Sequence, residues 1–266
     1  MTFSNASKFL FRHAVAISVN YRLKDDPHDH PKRVVNYSAT VMSVSDYVFL
    51  LTAGHCVLEI ERILESDEYE YINSTIADIF GLEAVSDLPI PINLRHAARL
   101  AVDDEESGLD YGLIHLQTNQ IRLLTKNGIV AIFEENWTRQ HTIEFDRFFI
   151  LGFPAELALP TISEEGTAQF AAARIGLDKA DPPPGTKPTT FPRFVGKIAG
   201  DIPLNNIEGM SGGPIIGIDT RKPGVYWVVA IQSSWLKSEK IVFGCKIPVI
   251  GEQIKAGFDQ LIDQSK

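Results

Sequence analysis

Nine short segments rich in β-branched and aromatic residues, separated by turn residues, constrain this chain more than any other feature. They are HAVAISVNYRL, VVNYSATVMSV, YVFLLTA, YGLIHLQ, RFFILGFP, AAARIGL, PRFVGKIAG, VYWVVAIQSS and KIVFGCKIP. Side chains of this kind suit a pleated, half-buried surface, and many short strands with turns between them lead to a sandwich or a barrel. An all-β fold is the expectation. Two stretches break the pattern. From Val57 to Phe80 the residues Val57, Leu58, Ile60, Ile63 and Leu64 recur near a 3.6-residue period, which reads as a helical insertion whose later half is ambiguous. After Pro248 a second stretch sets Ile254, Phe258, Leu261 and Ile262 on one face and reads as a closing helix. The amino terminus reads as a short tail entering the first strand, with no cleavable leader.

Bulk properties remove several classes of function. At 266 residues and 44% hydrophobic, the chain can bury real cores. Its 25 basic and 34 acidic residues leave a net charge of −9, which disfavours a nucleic-acid partner because phosphate binding needs a basic surface. VYWVVAI, among the longest apolar runs, falls far short of the ~20 residues that span a bilayer, so no membrane partner is expected. Only Cys56 and Cys245 are present, far apart, which fits a disulfide-free cytoplasmic protein. LDKADPPPGTKPTTFPRF and DDEESG read as solvated connections.

One motif carries chemistry. In GMSGGP, Gly209 to Pro214, three glycines free the backbone so that two amide N–H groups can converge beside the Ser211 hydroxyl, as acyl transfer requires. A glycine-rich hairpin with a turn serine explains the same residues equally well. The nucleophile elbow of α/β-hydrolases also reads G-x-S-x-G, but there the histidine follows the serine. All seven histidines here precede Ser211, which excludes that order.

Of those seven, His55 in FLLTAGHCVL stands where an apolar strand ends and a helix begins, a rigid mount for a base. His28 and His30 lie in the polar loop DDPHDHPK, with only Asp25, Asp26 and Asp29 as further metal ligands, so no metal site is assigned. His115 reads as an outward strand residue, and His13, His96 and His141 belong to no constellation. A carboxylate that orients the histidine is needed next. Asp110 in LDYGLIHL, at a strand entrance, fits that role or that of a plain strand-start residue, whereas Asp103, Asp104, Glu105 and Glu106 read as a solvated acidic turn.

Taken together, LLTAGHC, LDYGLIHL and GMSGGP, in the order His, Asp, Ser and supported by ILGFP and FGCKIP, make the chain resemble the chymotrypsin-like (trypsin fold) serine peptidases. The likeness is nearest to the disulfide-free bacterial trypsin-like and HtrA-like peptidases. It implies two Greek-key β-barrels, one over 1–120 carrying His55 and Asp110 and one over 121–266 carrying Ser211, with the site between them. It also implies His55 as general base, Asp110 as its partner, Ser211 as nucleophile, and the N–H groups of Gly209 and Ser211 as the oxyanion hole. Asn205, six residues before the serine, would form the specificity pocket, with QSSW (Gln232 to Trp235) as the substrate-binding edge strand, Ser233 and Ser234 near the triad and Trp235 narrowing the pocket, and Gly244 and Lys246 near the other wall. No metal or cofactor is implied. The partner would be a protein or peptide substrate. Met210 stands where digestive members carry an activating aspartate, which raises the expectation of control by a regulatory protein or by self-association. Met42 stands near where those enzymes carry the cysteine that pairs with the one after the histidine, leaving Cys56 free. A catalytically silent binding module and a serine esterase are the competing readings.

Overall fold

Alternation along the first strands sorts side chains into two separate cores. In β1 (Ala14–Leu23) the residues Val15, Ile17 and Val19 enter one apolar cluster while Ala14 and Ala16 enter another, as a period of two requires. In β2 (Arg33–Val44), Tyr37, Ala39 and Val41 join the first cluster and Met42 and Val44 the second. The computed structural model describes residues 5–27, 32–80, 84–138, 144–157, 159–162, 168–169, 171–202, 204–222 and 224–264. His28, His30 and His141 lie outside the described residues.

The first half continues with β3 (Tyr47–Thr52), α2 (Gly54–Glu65), β4 (Tyr69–Ala77), β5 (Ile90–Ile92), β6 (Arg99–Asp104) and β7 (Leu109–His115), after a short helix α1 (Asn5–Leu10). Its sheet runs β5-β4-β1-β2-β3-β7-β6. A helix α3 (Thr118–Lys126) and a short α4 (Glu134–Trp137) lead to the second half. There β8 (Arg147–Gly152), β11 (Ala173–Lys179), β12 (Phe194–Ile198), β13 (Pro214–Ile218), β14 (Tyr226–Leu236) and β15 (Ile241–Lys246) close into a barrel in the order β11-β12-β15-β14-β13-β8. Strands β9 (Leu159–Ile162) and β10 (Ala168–Gln169) form a separate two-stranded sheet.

Both halves share one Greek-key order. With the strands of each half lettered a to f and β5 set aside as an extra edge, each reads d-a-b-c-f-e. In the second half d and e (β13 and β14) pair and close the barrel, with Pro214 opposite Ile231. In the first half, whose sheet is the second of the double-barrel fold, the counterparts β4 and β6 do not pair and leave the sheet open between them. Helix α2 packs against β4, β6 and β7 and buries Val57, Ile60 and Ile63 in the first core, covering the seam.

The helical insertion is shorter than its sequence implies. Helix α2 stops at Glu65, Ser66 is extended, and from Tyr69 the chain is strand β4 in register with β1. The aromatic and β-branched residues of YEYINSTIA fit a strand beside β1, and that pairing decides the ambiguous half. Two smaller expectations also change. The amino-terminal tail contains α1 and a 3-10 turn at Phe11–His13, and Asp103 and Asp104 end strand β6 rather than lying in a loop. The closing helix α5 (Ile247–Gln264) buries Ile247, Ile250 and Ile254 in the cluster shared by both halves, and Phe258 packs against that cluster and stacks on Tyr47. The side chains of Leu261 and Ile262 lie outside the described ones.

Candidate active site

Helix α2 delivers His55 to the cleft. Its first residue is Gly54, where a Cβ would lie 2.1 Å from the Val102 carbonyl oxygen, so only glycine lets the helix start this close to β6. The first turn of a helix leaves backbone N–H groups without partners, and Ala53 at the N-cap offers no side chain to satisfy them. Asp110 on β7 does so from outside the helix. Its Oδ1 accepts the His55 backbone N–H at 3.1 Å while Oδ2 accepts from the ring Nδ1 at 2.8 Å. One carboxylate therefore caps the helix and fixes the imidazole tautomer, leaving Nε2 as the acceptor. Asp110 is held in turn, because its backbone N–H donates to Cys245 Sγ at 3.1 Å and that thiol donates to the Gly108 carbonyl. Burial favours the neutral ring of His55, but the Asp110 hydrogen bond, with Cys56 alongside, outweighs it and holds the pKa above the ordinary histidine value.

Ser211 arrives from the turn before β13. Gly209 adopts φ +86°, and a Cβ there would lie 2.7 Å from the Phe153 carbonyl oxygen, so the position excludes other residues. Met210 is fully buried in the second half's barrel core and anchors the turn by apolar packing. The backbone N–H groups of Gly209 and Ser211 find no acceptor among the described residues.

The carbonyls of the same turn are held by hydroxyls from the other half. Ser38 on β2 donates through Oγ to the Gly209 oxygen at 2.6 Å and accepts the Phe153 N–H at 2.9 Å. Thr40 Oγ1 donates to the Gly212 oxygen at 3.0 Å, and Thr52 Oγ1 to the Ser38 oxygen at 2.8 Å. All three side chains are fully buried.

His55, Asp110, Gly209 and Ser211 line one cleft of about 990 Å³. Ser233, Ser234 and Trp235 of β14 line it too. No hydrogen bond joins the Ser211 hydroxyl to His55 among the described residues. Asn205 does not line the cleft. It is exposed, and its backbone N–H and Nδ2 donate to the two Glu156 oxygens at 2.8 and 2.9 Å, which ties it to the outer loop. Gly244 is likewise absent from the lining. It sits opposite Gln232 on β15, where a Cβ would lie 2.6 Å from the Ile231 oxygen and 2.8 Å from Ile215, so its smallness serves barrel packing. Lys246, opposite Ala230, is also outside, and burial followed by nearby Lys179 lowers its pKa. Among the other histidines, His13 is buried between the Val130 carbonyl and the Tyr226 hydroxyl, and burial lowers its pKa to about 4, so it is a neutral structural ring.

Sequence reasoning placed Gln232 in the edge strand QSSW but gave its side chain no role, and it missed the hydroxyl bracket of Ser38, Thr40 and Thr52. The bracket has a sequence signal, since Ser38 and Thr40 alternate with apolar residues in VVNYSATVMSV. Among the described residues no group of three or more His, Cys, Asp or Glu side chains is placed to hold a metal, and no helix is long and apolar enough to cross a membrane.

Compared with solved structures, 97% of this chain superposes on 68% of the HtrA-type protease AlgW, determined with a decapeptide, at a TM-score of 0.50 and 14% identity. The fold is that of the trypsin-like, HtrA-type serine proteases. Two further solved structures to which the chain is similar are the thermostable serine protease AL20 from an extremophilic microorganism and Deg5. The first matches 93% of this chain and 96% of its own, with 14% identity and a TM-score of 0.44. The second matches 92% and 90%, with 10% identity and a TM-score of 0.47. No protein-family model matches the chain, and no curated protein matches it in sequence.

Proposed function

We propose that this protein is a serine endopeptidase acting through an acyl-enzyme. The observation that carries the reading is the His55–Asp110 pair facing the same cleft as Ser211, whose turn presents two uncommitted amide N–H groups. Ser211 Oγ attacks the scissile carbonyl carbon and its proton passes to His55 Nε2. The carbonyl oxygen, now an anion, accepts hydrogen bonds from the Gly209 and Ser211 amides. Asp110 stabilises the imidazolium through Nδ1–H. His55 then gives the proton to the leaving amine, the C–N bond breaks, and water attacks the acyl-enzyme by the same route in reverse. The Ser211–His55 hydrogen bond, not formed here, tightens when substrate excludes water. Each step uses groups of this chain alone and calls for no metal or cofactor.

Substrate is a protein or peptide held along β14. Cleavage-site profiling on a peptide library, with the Ser211→Ala variant as control, tests the proposal. Cleavage by the wild-type chain that the variant lacks supports it. Cleavage retained by Ser211→Ala, or none by either, overturns it.

A further inference from the structure

Among the described residues Tyr37 and Gln232 line the cleft buried with a polar atom that has no partner, and of the two Gln232 is the one hydrogen-bonded through its backbone to the Ser211 turn. On β14, Ala230 packs in the barrel core and Ile231 in the cluster between the halves, and Gln232 returns to the barrel side. It is 1% exposed, yet its Oε1 has no hydrogen-bond partner, and none of the described residues bonds its side-chain nitrogen. Its backbone, by contrast, is fully committed. The Gln232 N–H donates to the Gly213 oxygen at 2.9 Å and its carbonyl accepts from Gly212 N–H at 2.7 Å, which fixes the residue against the Ser211 turn. The residue belongs to the wall of the same cleft as Ser211.

A buried amide without partners destabilises a fold, and an apolar side chain of similar size would fill the space at no such cost. The arrangement makes sense when something else enters to satisfy the amide. Whichever way the amide is turned, it presents one acceptor and a pair of donors in one plane. A second amide matches both functions at once. A lone hydroxyl offers a single rotatable O–H, and a charged group meets no opposite charge at this depth. Of the charged residues lining the cleft, Lys32, Arg33, Asp103 and Glu208 are exposed to solvent, Glu59 is partly exposed, and Asp110 is engaged with His55.

We infer that Gln232 determines the specificity of the proposed peptidase, and that the residue before the scissile bond is a neutral amide side chain, glutamine or asparagine. The inference rests on the peptidase reading for its reaction but not for its binding. A site built to hydrogen-bond a polar side chain strongly rejects the isostere that lacks it, because the buried partner is then left unpaired.

The experiment compares two peptides differing only in glutamine or methionine before the scissile bond. Affinity is measured on the Ser211→Ala protein and kcat/KM on the wild type. The expected result is a preference for glutamine of at least about tenfold in both, reduced to about one or inverted by Gln232→Leu. Asn205→Asp should leave the ratio unchanged. Equal affinity for the two peptides on Ser211→Ala overturns the inference without involving any variant of Gln232. Selective binding of the glutamine peptide without wild-type cleavage keeps the inference and removes the peptidase reading. Cleavage indifferent to this residue does the reverse.

Discussion

The two halves of the molecule follow one strand order and finish it differently. In the second half β13 and β14 pair and the barrel closes; in the first the equivalent β4 and β6 stay apart and α2 covers the gap. A closed ladder satisfies its backbone groups internally, so what it offers at the cleft is a turn, with the amides of Gly209 and Ser211 facing outward. An open seam filled by a helix offers the helix's first turn instead, which carries His55 and needs Asp110 to cap it. In the proposed mechanism the open half thus supplies chemistry through side chains and the closed half largely through backbone. Ser38 and Thr40 extend the same division, since their hydroxyls hold carbonyls of the opposite half.

The strongest way to break this division is to remove one group from each half. His55→Ala and Ser211→Ala are each expected to lower turnover by about 10⁴ to 10⁶, and the double variant no further than the worse single one, because the pair acts as a unit. Losses that multiply would show that the halves act independently.

A smaller effect sharpens the role of the bracket. Ser38→Ala leaves the Phe153 N–H without its acceptor and the Gly209 carbonyl with one donor fewer. Steady-state kinetics should show kcat lower by roughly tenfold, about 1.4 kcal/mol, with KM within about twofold. A change confined to KM would mean that the bracket shapes substrate binding rather than the oxyanion turn.

The smallest effect is read by NMR titration of the His55 ring. The wild-type value should lie above the ordinary 6.5 or so, and Asp110→Asn should bring it down. Because the folded value is raised, the stability contributed by this pair is complete below about pH 6.5 and is lost as pH rises through the raised value. Under the proposed mechanism the rate limb of the free protein sits above the ordinary histidine range, where the ring becomes neutral. An unshifted ring in the wild type would show that Asp110 does not face it in solution.

Much of this was legible in the sequence for identifiable reasons. The nine short segments each contain a strand because their β-branched and aromatic residues fit a pleated surface. Strand β6 hid behind Asp103 and Asp104, and β5 is three residues around a proline, so neither has a local signal. Helix α3 is amphipathic but only nine residues long and largely polar, so its short apolar face carries too weak a signal to read as an element. The order His55, Asp110, Ser211 could be read because each residue stands at the end of an element. Asn205 was misplaced because counting back from Ser211 cannot register that Glu156, 49 residues away, pulls the loop outward. Gln232 was legible only as the first residue of the edge strand QSSW, since an unpartnered buried amide exists only once the barrel is built around it.

The central claim is that a side chain of the open half activates a hydroxyl of the closed half, and covalent labelling tests it most directly. Treatment with a fluorophosphonate followed by peptide mass mapping should find one adduct, on Ser211, and His55→Ala should abolish it. An intact wild-type protein that takes no label, or an adduct that forms on Ser211 as fast in His55→Ala as in the wild type, would contradict the account.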